Sequence, residues 1–119
     1  LEEEGLVNNA AVVGAQMKEG LIGLQDECDI LGDVRGLGLC LGIEIVRGGG
    51  DKAPWIEGAQ AITRHCRQAG LWLALEHGAT GFSPNCLRIM PPLSITKDEA
   101  EAGLAILGQA IRAAQKLAR

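Results

Sequence analysis

Arg88 is the residue of this sequence whose type and position point most directly to chemistry. It stands within Cys86-Leu-Arg-Ile-Met90, between apolar neighbours, where a charge is costly unless it is paired. A guanidinium held on a strand presents a planar fork that can bind a carboxylate through two hydrogen bonds. The spacing alone favours the plainer alternative, an arginine on the solvent face of a half-exposed strand. Taken by themselves, the residues leave Arg88 as a candidate substrate-binding group beside that structural alternative.

A glycine-rich segment and a histidine–cysteine pair suggest other sites, and their spacing argues against both. Gly36, Gly38 and Gly42 resemble a dinucleotide-binding loop. However, the third glycine comes one place late, and a strand pattern follows where phosphate binding needs a helix N-terminus. His65 and Cys66 are adjacent on a predicted helix, where neighbouring side chains diverge by roughly 100°. With no ligand pair at two-residue spacing, the sequence predicts no metal site.

Further groupings of reactive side chains also fail on geometry. Glu76, His77 and Ser83 lie on one predicted loop, with no scaffold to hold a catalytic triad. Arg35, just before a predicted strand, fits a surface or ion-pairing residue better than a ligand. Four lysines occur on helix faces, in a loop or at a helix start: Lys18, Lys52, Lys97 and Lys116. None is expected in the apolar pocket that activates a Schiff-base lysine, so we predict no catalytic and no cofactor-binding residue in this chain.

The hydrophobic pattern predicts the elements that carry these residues. Apolar residues at steps of three and four predict a long first helix, a second helix closed by Gly70, and a last helix opened by a capping box of Thr96 and Glu99. Alternation predicts strands over residues 31–46, 71–75 and 86–90. In the first strand, glycines fill most of one face, which predicts close packing there. The order α-β-α-β-β-α, a small three-stranded sheet packed by helices, makes residues 1–119 a single α+β domain.

Charge and composition exclude several classes of partner. The net charge is −4 and the 11 basic residues are scattered, whereas a nucleic-acid surface needs clustered Lys and Arg. No apolar run approaches the ~20 residues that span a bilayer, so no membrane partner is expected. The four cysteines show no paired spacing, which is typical of reduced thiols in a cytoplasmic protein.

Two separated motifs give the sequence a family resemblance. Gly32-Asp-Val-Arg-Gly-Leu-Gly-Leu-Cys-Leu-Gly-Ile-Glu-Ile-Val46 resembles the RGxGLxxGIE strand of class III aminotransferases. Leu87-Arg-Ile-Met-Pro-Pro-Leu-Ser-Ile-Thr96 resembles their LRxxPPLxIT segment. The acidic opening and the final amphipathic helix are similar too, so the resemblance covers essentially the whole chain. Residues 32–36 and 107–111 also look similar to a decarboxylating member of the class, 2,2-dialkylglycine decarboxylase.

The resemblance implies the C-terminal small domain of a fold-type-I enzyme that uses pyridoxal 5'-phosphate (PLP). In such enzymes the large domain carries the cofactor, its Schiff-base lysine and the aspartate that pairs with the pyridine nitrogen. An arginine at the position of Arg88 binds the substrate carboxylate, so the resemblance favours the functional interpretation of Arg88. It also implies amino acid or amine and keto acid substrates, and a homodimer or larger assembly. On this view the chain alone is inactive and binds no cofactor.

Two other function classes stay open at this point, a free-standing small-molecule-binding α+β module and a structural or dimerisation domain. Decarboxylation is the alternative reaction within the enzyme class. Because the sequence opens with Leu1 inside a predicted helix, we expect a piece of a longer enzyme. An encoded methionine directly before Leu1 would favour a free-standing module, whereas an upstream lysine-bearing domain would favour the enzyme.

Overall fold

Helices cover one side of an antiparallel sheet in the computed structural model, which describes residues 3–70, 85–89, 91 and 94–118. The helices in this part of the chain are α1 (Glu3–Glu27), α2 (Ile56–Gln68) and α3 (Lys97–Leu117). The strands are β1 (Leu31–Leu37), β2 (Cys40–Gly48), β3 (Asp51–Pro54) and β4 (Cys86–Ile89). The predicted α+β class is confirmed. None of these helices combines the length and apolar character needed to cross a bilayer.

The segment 31–46, predicted as one strand, is a hairpin of two strands, so that prediction is wrong. β1 and β2 pair from Leu31 with Ile45 to Leu37 with Cys40, which leaves Gly38 and Leu39 as a two-residue turn. Gly38 has a φ of 55°, which glycine adopts readily and which such turns require at this place. Leu39 is buried within the turn. The alternation of apolar residues therefore continues through the turn, and this alternation gives no sign that the chain reverses there.

Close packing at glycine occurs at the tip of this hairpin and not along one face of a strand. The turn places Gly36 opposite Leu41 and Gly42 opposite Arg35, so the two glycines lie on opposite faces of the sheet. At the tip, Gly14 of α1 lies so near Gly38 that a Cβ at Gly14 would collide with the Gly38 backbone. One helical turn later, Lys18 Nζ donates a hydrogen bond of 3.2 Å to the Gly36 carbonyl. These two contacts attach the tip of the hairpin to α1.

β2 is the central strand among the described residues. It pairs with β1 on one edge and with β4 on the other, and its far end also pairs with β3. The sequence does not predict β3, because its four residues, Asp-Lys-Ala-Pro, are all exposed and show no apolar alternation. β4 matches the predicted strand 86–90 as far as Ile89, and Met90 lies outside the described residues. The predicted strand 71–75 also lies outside them.

The helices follow the predicted stripes and caps. Thr96 Oγ1 accepts from the Glu99 amide at 3.1 Å, while Glu99 Oε1 accepts from the Thr96 amide at 3.0 Å, so the capping box of α3 is confirmed. Gly70 follows α2 with a φ of 79°, as a helix-ending glycine does.

An aliphatic core lies between the sheet and the helices. Its fully buried members include Val13, Met17, Leu21, Ile43, Ile62, Leu87, Leu107 and Ile111. Because one face of β2 and of β4 is buried in this core, the register of these two strands is fixed, since a slip by one residue would turn polar side chains inward. The other face of the sheet is polar, and it carries the candidate site.

Candidate functional site

Arg88 lies on β4 with its side chain on the face of the sheet opposite the core. The residues on either side, Leu87 and Ile89, are both 0% exposed, so the core fixes the backbone that carries Arg88. Successive strand residues point to opposite faces, which directs Arg88 outward. The arginine itself is half-buried. Its predicted place in a strand between buried apolar neighbours is confirmed, and its role as a ligand stays a prediction.

The start of β4 is held to the central strand by more than the ladder of backbone hydrogen bonds. Asn85 is 1% exposed, and its Nδ2 donates a hydrogen bond of 2.8 Å to the Ile45 carbonyl. In return the Ile45 amide donates to the Asn85 carbonyl at 2.9 Å. Because buried polar groups are costly unless bonded, this exchange fixes the entry of the chain into β4.

The strand register aligns Arg88 with a second arginine. Gly42 on β2 pairs with Arg88 on β4 and with Arg35 on β1. These three residues form one row across the sheet, here called the arginine row. The adjacent row consists of Asp33, Glu44 and Cys86. The two rows together set two guanidinium and two carboxylate groups side by side on one polar face.

Arg35 makes contact with residues of all three strands of this face. Its Nη1 lies 3.6 Å from Asp33 Oδ2, and its Nη2 lies 3.9 Å from Glu44 Oε2. Nη2 also donates to Cys86 Sγ at 3.7 Å. The contact with Cys86, followed by the attraction of the two carboxylates, raises the pKa of Arg35. The ion-pairing role predicted for Arg35 is confirmed.

The side chain of Arg35 passes beside Gly42. A Cβ built on Gly42 would lie 3.8 Å from Arg35 Cγ, 4.0 Å from Arg35 Nε and 3.9 Å from Cys86 Sγ. The arginine side chain therefore crosses the central strand directly over the glycine. A methyl group would still fit at ordinary contact distance, whereas a branched side chain would displace the guanidinium.

The remaining candidates from the sequence do not assemble a site among the described residues. Glu76, His77 and Ser83 lie outside the described residues. Within the described part of the chain, no group of three or more His, Cys, Asp or Glu side chains could hold a metal ion. Gly36, Gly38 and Gly42 belong to the hairpin, and no helix N-terminus follows them. All four cysteines are free thiols.

Sequence reasoning missed Gly42, Glu44 and Cys86 as members of the polar face. Their place depends on the register of the hairpin, which cannot be counted until the turn is located. Gly38 was the available signal, because glycine is favoured at the first position of a two-residue turn. With the turn at Gly38 and Leu39, simple counting pairs Arg35 with Gly42.

Comparison with known proteins identifies a family over nearly the whole chain. The model of the class-III aminotransferase family matches residues 1–111. The chain is 43% identical over 101 residues to alanine–glyoxylate aminotransferase 2 homolog 2, mitochondrial, of Arabidopsis thaliana, a match that covers 85% of this chain and 20% of that protein. It is 38% identical over 116 residues to alanine/serine racemase of Pyrococcus horikoshii, covering 94% and 22% respectively.

Solved structures of transaminases also resemble this chain. An amine transaminase from an uncultivated Pseudomonas species, solved in its PLP-bound form, superposes with a TM-score of 0.78 at 30% identity. The superposition covers 93% of this chain and 24% of the transaminase. The chain thus spans 20% to 24% of the length of these three proteins.

Proposed function

Because the chain belongs to the class-III aminotransferase family, we propose that the complete protein is a PLP-dependent transaminase. In this proposal residues 1–119 are its C-terminal small domain, and Arg88 binds the carboxylate of the substrate. The observation that carries it is the placement of Arg88, half-buried on the polar face and fixed between the fully buried Leu87 and Ile89.

None of the four lysines, all of which lie among the described residues, has the surroundings of a Schiff-base lysine. A Schiff-base lysine needs an apolar pocket or a neighbouring cation that favours its neutral amine. Lys18 is engaged by the Gly36 carbonyl, while Lys52, Lys97 and Lys116 are exposed to water. We therefore place the cofactor, which supplies the electron sink for amino transfer, in a part of the complete protein outside this chain.

The task assigned to Arg88 is to hold the end of the substrate that does not react. Transamination interconverts an amino acid and a keto acid, and the carboxylate is common to both. A single guanidinium fork can therefore orient both partners through the same two hydrogen bonds. A strand backbone fixed by the core suits this task, because precise orientation requires a rigid support.

Substitution of Arg88 in the complete enzyme tests the proposal. Arg88→Ala should lower kcat/KM for amino acid donors by roughly 30-fold to several-thousand-fold, since losing a desolvated charge partner costs about 2–5 kcal/mol. Amine donors without a carboxylate should be far less affected, and PLP absorbance should be retained. Unchanged kinetics on carboxylate donors, or simple unfolding of the variant, would show that Arg88 is structural. Release of CO2 in the same assays would identify the decarboxylating alternative.

Assembly and compartment belong to the same proposal. We infer a homodimer or larger assembly, supported by exposed apolar side chains on α1 at Val7, Val12 and Ile22, which are 63%, 45% and 44% exposed. We also infer a reducing compartment such as the cytoplasm, supported by four free thiols. Sedimentation of the complete enzyme as a monomer at high concentration would contradict the first inference.

A further inference from the structure

The polar face contains a carboxylate that could compete with the substrate for Arg88. Glu44 pairs with Cys86, and Gly42 pairs with Arg88, so Glu44 is the diagonal neighbour of Arg88 across β2 and β4. Diagonal neighbours on adjacent strands are about 7–8 Å apart at their Cα atoms, which is within reach of long side chains. A glutamate and an arginine at these positions can therefore approach each other.

In the structure, Glu44 is engaged by the arginine on the other side of β2. Arg35 Nη2 lies 3.9 Å from Glu44 Oε2 and also donates to Cys86 Sγ. The second contact holds the guanidinium over the central strand, where the Arg35 stem passes beside Gly42. Asp33 Oδ2, 3.6 Å from Arg35 Nη1, adds a further contact on β1. Arg35 is thus placed where it can attract the Glu44 carboxylate toward β1.

We propose that Arg35 is a positioning residue for the carboxylate site. By pairing with Glu44 over Gly42, it keeps that carboxylate from competing with the substrate for Arg88. This inference rests on the proposed function of Arg88 and adds a specific role for its neighbours. Arg35 itself touches no substrate and acts only through Glu44.

The proposal predicts rescue in a double variant of the complete enzyme. Arg35→Met keeps the unbranched stem over Gly42 and removes the charge, so Glu44 should turn toward Arg88 and raise KM for carboxylate-bearing donors. We expect a rise of about tenfold, equivalent to ~1.4 kcal/mol, with little change in kcat. Glu44→Gln alone should leave KM nearly unchanged, because in the unmodified enzyme Arg35 already holds this carboxylate away from Arg88. Arg35→Met combined with Glu44→Gln should return KM to within about twofold of the unmodified enzyme, a strong departure from additivity.

Arg112→Met is the matched control. Arg112 is an arginine of similar side-chain exposure, 49% against 55% for Arg35, and it pairs with Glu27 at 3.0 Å. It lies on α3, outside the polar face, so the control removes one exposed arginine–glutamate pair without touching the rows. Its KM for carboxylate donors should not change. Amine donors without a carboxylate should report no change for Arg35→Met either, whereas general damage to the fold would affect both donor classes.

The outcomes separate this inference from the proposed function. If Arg88→Ala abolishes carboxylate selectivity while Arg35→Met leaves KM unchanged, Arg88 keeps its role and the role of Arg35 is refuted. The inference is equally refuted if the double variant is as poor as Arg35→Met, or poorer, because that result shows a purely structural arginine. If Arg88→Ala itself has no effect on carboxylate donors, the proposed function fails first.

Discussion

Gly14 on α1 and Gly38 at the tip of the β1–β2 hairpin pack with their backbones in direct contact. A Cβ at Gly14 would overlap the carbonyl group of Gly38. The same helix holds the hairpin again through Lys18 and the Gly36 carbonyl. Contacts with α1 thus fix the hairpin that carries Arg35 and Gly42. The close approach of the two backbones is possible because Gly14 has no side chain.

Substitution of two glycines in α1 should have opposite effects on stability. Gly14→Ala should destabilise the protein by about 1–3 kcal/mol, because the added methyl forces the hairpin tip away from the helix. Gly23→Ala is the matched control, since a Cβ there meets no atom within 4 Å. Alanine should stabilise the helix at that position by up to about 1 kcal/mol. Thermal unfolding of both variants provides the comparison, and equal shifts would contradict the close packing.

Arg88→Lys should recover only part of the activity lost in Arg88→Ala. An ammonium restores the charge but not the planar pair of donors that a carboxylate accepts. We expect kcat/KM for amino acid donors to fall between the values for the alanine variant and the unmodified enzyme. Full recovery would mean that charge alone matters and that no two-point contact forms.

Removing the Thr96 hydroxyl should weaken α3. Thr96→Ala loses the hydrogen bond to the Glu99 amide and should cost about 1 kcal/mol, whereas Thr96→Ser keeps an oxygen at the same place and should cost less. The capping box also lowers the pKa of Glu99, mainly through the hydrogen bond with the Thr96 backbone. A carboxylate with a lowered pKa stabilises the fold above its unfolded pKa and loses that contribution as the pH falls through the folded value. Unfolding curves of Thr96→Ala and Thr96→Ser at neutral pH test the first point. For the second, Glu99→Gln should lose less stability than the unmodified protein as the pH falls from neutral to acidic, and an equal loss would contradict it.

Cys66 should make the fold sensitive to alkaline conditions. Burial raises the pKa of the Cys66 thiol from 9.0 to about 11. Above pH 9 the unfolded chain loses this proton and the folded chain keeps it, so stability should fall as the pH rises from 9 to about 11. Cys66→Ala should remove that part of the slope. The native protein should meanwhile react with thiol reagents faster at exposed Cys40 than at buried Cys66. An identical alkaline slope in Cys66→Ala would contradict the assignment.

Helices, caps and the strand of Arg88 could be predicted from the sequence because each depends on local signals. The stripe on α1, the Thr96 and Glu99 pair and the alternation around Arg88 each lie within one element. A pattern of alternating apolar residues predicts which positions are buried. It cannot reveal a turn when a residue of the turn is itself apolar and buried. Leu39 is such a residue, so the pattern predicts one strand where the structure has a hairpin.

The arrangement of the polar face could not be predicted, because it depends on pairing between distant residues. Arg35 and Cys86 are far apart in the sequence and meet only because both lie beside β2. Glu44 looks like an ordinary outward-facing residue until its neighbours on both sides are known. The site follows from register, and register depends on the turn at Gly38 and on the long-range pairing of β4.

The central strand meets its two arginine-bearing partners at very different distances along the chain. Arg35 pairs with Gly42 across 7 positions, whereas Gly42 pairs with Arg88 across 46 positions. By polymer theory the longer loop costs roughly 1.7 kcal/mol more in chain entropy to close. Closing the hairpin therefore costs less chain entropy than adding β4 to it. In the native ensemble, partial opening of β4 would displace Arg88, the arginine proposed to bind the carboxylate, while the hairpin stayed intact. A measurement of substrate affinity would then detect the opening of β4 more sensitively than a measurement of helix content.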